Sequence, residues 1–147
     1  MKIRTIVMAT LSLVAFNAIA ANRNAKLYIF GFAASFNDST VYFTDIQEVD
    51  SAWVDSKTKF LYSRDNYSYQ LRDYLKAKGF NHPTCITMYS QKRKDIDKKL
   101  ASMKKRYMEV GKYDIKTIAA ADFKYAPIIP NEDEMEKPKG EKRNGGK

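Results

Sequence analysis

The chain has 147 residues, with 26 Lys and Arg against 17 Asp and Glu, one His and one Cys; 44% of the residues are hydrophobic and 13% aromatic. That length fits one domain, and that apolar content excludes global disorder. A lone cysteine cannot bridge within its own chain, and one His plus one Cys cannot supply the ligands most zinc sites require. A disulfide scaffold and a zinc domain are therefore excluded, and neither a metal nor a cofactor is expected.

The first twenty residues read as a secretory signal peptide. Lys2 and Arg4 form a basic start, Ile6 to Phe16 is an apolar run, and Ala18 and Ala20 sit three and one positions before a cut ahead of Ala21. The run is shorter than the roughly 20 residues a membrane span needs. The remainder contains no stretch of spanning length, so a secreted or periplasmic protein is expected. Lys26 to about Ala126 reads as one α+β domain, and residues 127–147 as a disordered charged tail. From Asn131 onward that tail holds five acids, five bases, three glycines and one apolar residue, Met135. Such a composition cannot offset the entropy of ordering. The domain itself keeps a net charge of roughly +7.

Leu27 to Ala34 and Thr40 to Ile46 are β-prone runs separated by the turn cluster Asn37, Asp38 and Ser39, which predicts a β-hairpin. Residues 47–64 predict a small excursion or extra hairpin, with Trp53 and Val54 facing Phe60, Leu61 and Tyr62 across a polar turn. Tyr67, Leu71, Tyr74 and Leu75 share one face of a helix over 66–78 that Gly79 ends. Thr84 to Tyr89 predicts a strand, Ser90 caps a helix running to Val110 and Gly111, and Tyr113 to Ala119 predicts a last strand. The order is β-β-α-β-α-β. It suggests an α+β two-layer sandwich with both helices on one face of a roughly four-stranded sheet. If the last two strands are parallel neighbours, their crossover is right-handed.

The second helix is the most informative segment. Ile96, Leu100, Met103, Tyr107 and Val110 fall within an arc of about 80°, a stripe suited to docking on a sheet. Lys94, Lys98 and Lys105 point straight away from it, flanked by Lys104 and Arg106 among other cations. Lys94, Lys98, Lys104, Lys105 and Arg106 are therefore the candidate anion-binding residues. The first strand is apolar on both faces, so Tyr28, Phe30 and Phe32 are candidate residues for a protein partner on a face the helices leave open.

Catalytic chemistry is sparse. His82 and Cys85 are three residues apart across Pro83, with no assured way to meet and no third orienting group. Asp45, Glu48, Asp50 and Asp55 lie close together, but their spacing is not that of a calcium loop. No phosphate-binding glycine loop is present. The aromatic string Phe30 to Phe36 has Tyr28 and Ile29 where an RNA-recognition strand carries a basic residue and glycine, so no specific nucleic-acid recognition is expected.

The strings FGFAASFNDSTVYFTDIQ and YSYQLRDYLKAKGF, spanning roughly residues 27–90, resemble small uncharacterised exported proteins of the Bacteroidota. The resemblance implies a Gram-negative periplasm or cell surface and no particular activity. The sequence reading is thus a non-catalytic binding or interaction module of the envelope or secreted fraction, with a protein or an anionic polymer as partner. A small hydrolase built on carboxylates is the alternative, since paired acids need no fixed spacing.

Overall fold

The computed structural model describes residues 21–136. In chain order these form β1 (Asn22–Ser35), β2 (Asp38–Thr44), β3 (Gln47–Asp55), α1 (Arg64–Ala77), β4 (Thr84–Ser90), α2 (Arg93–Val110) and β5 (Asp114–Ile118), with a short 3-10 turn at Glu132–Glu134. The chain is α+β: a five-stranded mixed sheet with two helices packed against it. The predicted signal peptide lies outside the described residues, as do residues 137–147 of the predicted tail.

β1 organises the sheet. Residues 28–34 pair antiparallel with β4, residues 32–35 with β2, and residues 22–29 with β3. A strand has two edges, so β4 occupies one and β2 and β3 follow each other along the other. The partner strand breaks at Asp45 and Ile46. There Thr44 closes the gap, its Oγ1 accepting the Gly31 N–H at 2.8 Å and donating to the Asp45 carbonyl at 2.9 Å. β5 adds to β2 in parallel. β4 and β5 therefore run parallel but are not neighbours, because β1 and β2 lie between them, and the crossover through α2 spans two strands.

The excursion predicted at 47–64 is β3 plus a tight turn. Asp55 Oδ1 accepts the N–H groups of Lys57 and Thr58, and Val54 bridges back to Leu61. The observed order thus has one strand more than the sequence suggested.

The pleat of β1 decides where the helices sit. Leu27, Ile29 and Ala33 join one core with Tyr67, Leu71 and Leu75 of α1. Phe30 and Phe32 join a second core with Val41, Phe43 and Ile96 of α2. Successive strand residues leave opposite faces, so α1 covers one face and α2 the other. Sequence reasoning seated both helices on the same face; the alternation along β1 separates them. Both faces of β1 are apolar because each meets a helix, as expected of a central strand.

The domain also continues past Ala126. Gln47 Nε2 donates to the Phe123 carbonyl at 2.7 Å while its Oε1 accepts the Tyr125 N–H at 2.8 Å. Tyr67 Oη accepts the Ile128 N–H at 3.0 Å, and Pro130 is buried. Tyr62 Oη donates to Glu134 at 2.9 Å, and Met135 bridges to Asn22. Residues 127–136 are thus tied to the domain, which corrects the boundary drawn at 126. Side-chain bonds to the backbone across more than fifty residues supply what composition lacks. Residues 22–25, ahead of the domain start expected at Lys26, likewise belong to β1, because β3 pairs with them.

Candidate functional site

α2 begins after Lys92 and ends at Gly111, whose φ of 71° suits a residue without a Cβ. Of its docking stripe, Ile96 is fully buried, and Leu100, Met103 and Tyr107 are half-buried. Val110 is 52% exposed, which corrects its assignment to the stripe. The ring pair of Tyr107 and Tyr113, 4.9 Å apart, closes the packed face one turn earlier.

The five candidate anion-binding residues do not act together. Lys94 and Lys105 are exposed on the outward face, and Lys105 approaches Glu109 at 3.7 Å. Lys104 leans toward β2, with its Nζ 5.8 Å from the Phe43 ring centroid. Lys98 and Arg106 lie on the other flank. With Lys99, Ser102, Met103 and Met88 of β4 they line a hollow of about 440 Å³. A second hollow of about 380 Å³ shares Met88 and Lys99 and adds Thr58, Lys59, Phe60, Arg64 and Tyr89. Together they form a groove with methionine in its floor and five cations around it: Lys59, Arg64, Lys98, Lys99 and Arg106. No carboxylate lines either hollow. Among the described residues, Lys98, Lys99 and Arg106 have no acidic side chain within 4.0 Å. Arg64 Nε donates to the Thr87 carbonyl at 2.9 Å, and its guanidinium carbon stands 5.6 Å from the Tyr89 ring centroid.

Lys59 and Arg64 were missed in the sequence. They lie more than thirty residues from Lys98, and only the turn after β3, folded beside β4, brings them to the same place.

The aromatic candidates are placed differently. Phe30 and Phe32 are core residues under α2, 0% and 5% exposed, so they present no open face. Tyr28 is half-buried, with Lys26 Nζ and the Arg93 guanidinium 5.8 and 5.9 Å from its ring centroid. The face thought open on β1 is the one α2 occupies.

Cys85 lies in β4 against the α1-side core, and burial pushes its thiol from the ordinary 9.0 up to about 11, so it stays protonated at neutral pH. His82 is exposed, with a φ of 51°. Glu48 pairs with Lys26 at 2.6 Å, and that contact raises the lysine's pKa. Asp45 Oδ2 accepts the Ala120 N–H at 3.3 Å. Among the described residues no three His, Cys, Asp or Glu side chains gather as a metal would require. Two further hollows, at the β1–β2 hairpin, each include the single acid Asp38. None of the four hollows is lined by the two carboxylates a hydrolase would use. Among the described residues no helix is long and apolar enough to cross a membrane.

No family model, no curated protein and no solved structure matches this chain.

Proposed function

We propose that this protein is an exported, non-catalytic binding module of the cell envelope or secreted fraction. It engages an anionic partner through the β4-facing side of α2 and the turn after β3. The observation that carries this reading is the set of five cations around two adjoining hollows that no carboxylate lines. Like charges gathered without counter-charges repel one another, and a multiply anionic ligand relieves that repulsion while gaining charge-assisted contacts. Export rests on the three-part pattern of residues 1–20.

The test is retention on a sulfated-polysaccharide column. The protein should bind at low ionic strength and elute as salt screens the contacts. Changing Lys98, Lys99 and Arg106 to Glu should shift elution to markedly lower salt. A triple variant that elutes with the parent protein removes the reading.

A further inference from the structure

The second hollow has a geometry that the charge alone does not convey. Met88 and Tyr89 are consecutive on β4, so their side chains leave opposite faces of the sheet. A hollow lined by both straddles the strand's outer edge. β4 pairs with β1 only, so among the described residues that edge has no strand beside it. Arg64 reaches it from the turn side and bonds the Thr87 carbonyl. An unpaired edge is a template for another extended chain.

We infer that β4 and the groove beside α2 form a docking site for an extended acidic peptide segment carrying apolar side chains. The segment would add to the sheet alongside β4. This deepens the binding reading by naming the partner's chemistry. Each part of the occupant answers a feature of the site. The main chain meets the outer edge of β4 on either side of Thr87, which is itself buried with its carbonyl held by Arg64. Apolar side chains meet Met88, Met103 and the exposed ring of Phe60, and methionine adapts well to irregular apolar contacts. Acidic side chains meet Lys59, Arg64, Lys98, Lys99 and Arg106. A polysaccharide has no use for the methionine floor or the strand edge. A second copy of this chain would bring an identical cationic rim against the first. The chain's own residues 137–147 hold five cations and one acid, so they have the wrong charge for the groove.

The experiment titrates isotope-labelled protein with an eight-residue peptide alternating glutamate and leucine, followed by amide NMR. Glutamate-only and lysine–leucine peptides serve as comparisons. The alternating acidic peptide should bind saturably and shift the amides of Thr84–Ser90 and of α2 from Lys98 to Arg106. The comparison peptides should bind at least about tenfold more weakly. Lys99→Glu with Arg106→Glu, both exposed, should weaken the acidic peptide about tenfold or more. Lys76→Glu with Lys124→Glu, on the α1 side, should leave affinity within about twofold. Absence of saturable binding overturns the inference, as does equal affinity for the glutamate-only peptide. Shifts confined to the outward face around Lys94 and Lys105 overturn it too. A protein that ignores the peptide yet is held by the sulfated column keeps the binding reading and loses only this one; a protein that does neither loses both.

Discussion

Gly31→Ala tests the packing of α1 against the sheet. Gly31 lies in the middle of β1, and a Cβ there would stand 2.6 Å from Leu71 Cδ2 and closer still to the Tyr125 hydroxyl. Carbon atoms in contact prefer about 3.5–4.0 Å, so roughly an ångström of room must be found. Both neighbours are core residues, Leu71 0% and Tyr125 5% exposed, and neither has solvent to retreat into. Overpacking of this kind costs about 1–3 kcal/mol. The Tyr125 hydroxyl is itself buried without a hydrogen-bond partner, and burial raises its pKa. Tyr125→Phe gives up only the approach of this hydroxyl to the Thr87 side chain and should be close to neutral. Because it removes the closest of the clashing atoms, the double variant should recover about 1 kcal/mol or more over the simple sum. Urea unfolding followed by circular dichroism gives the midpoints and slopes needed for the cycle. A Gly31→Ala midpoint equal to the parent's would refute the packing described here. A double variant no more stable than Gly31→Ala would also refute it.

Three further outcomes are expected. Ile96→Ala should cost about 2–5 kcal/mol, since a fully buried side chain leaves a cavity among Phe30, Phe32, Val41 and Phe43. Val110→Ala, on the same helical arc but exposed, should stay within about 0.5 kcal/mol by the same denaturation assay, and equal losses would contradict the placement of α2. The Cys85 thiol, pushed up to about 11, should hold about a hundredfold less thiolate at pH 8 than a free thiol, so iodoacetamide should label the folded protein slowly. Because the folded value is the higher one, its stabilising contribution is complete below the ordinary 9.0 and is lost as pH rises through about 11, where labelling should accelerate. Fast labelling at pH 8 by mass spectrometry would contradict the burial of Cys85.

What could be read from the sequence was what periodicity governs. The three-four spacing of Tyr67, Leu71 and Leu75, and that of Ile96, Leu100, Met103 and Tyr107, marks two helices and the faces they bury. The face of the sheet each helix takes is not local information. The two apolar faces of β1 fit either a missing partner or a second helix, and only the alternation of Ile29 with Phe30 between separate cores decides between them. The place of β5 beside β2 depends in the same way on pairing between distant segments. Residues from Asn131 onward looked too polar to order, yet 131–136 are held by the bonds of Tyr62 and Asn22 to Glu134, next to a stretch tied down by Tyr67, Gln47 and Gln70. Of the groove, the sequence showed the α2 cations as a helical face. It did not show that Lys98, Lys99 and Arg106 turn toward β4 while Lys104 turns toward Phe43, nor that Lys59 and Arg64 come to meet them.

The central claim is that binding is localised to the cations beside β4 and does not follow net charge. A salt gradient on the sulfated-polysaccharide column compares two triple variants of equal charge. Lys98→Glu, Lys99→Glu and Arg106→Glu alter the groove; Lys76→Glu, Lys78→Glu and Lys124→Glu alter exposed positions on the α1 side. The groove variant should lose retention while the α1-side variant elutes close to the parent protein. Equal displacement of both would show that overall charge, and not this groove, holds the anion.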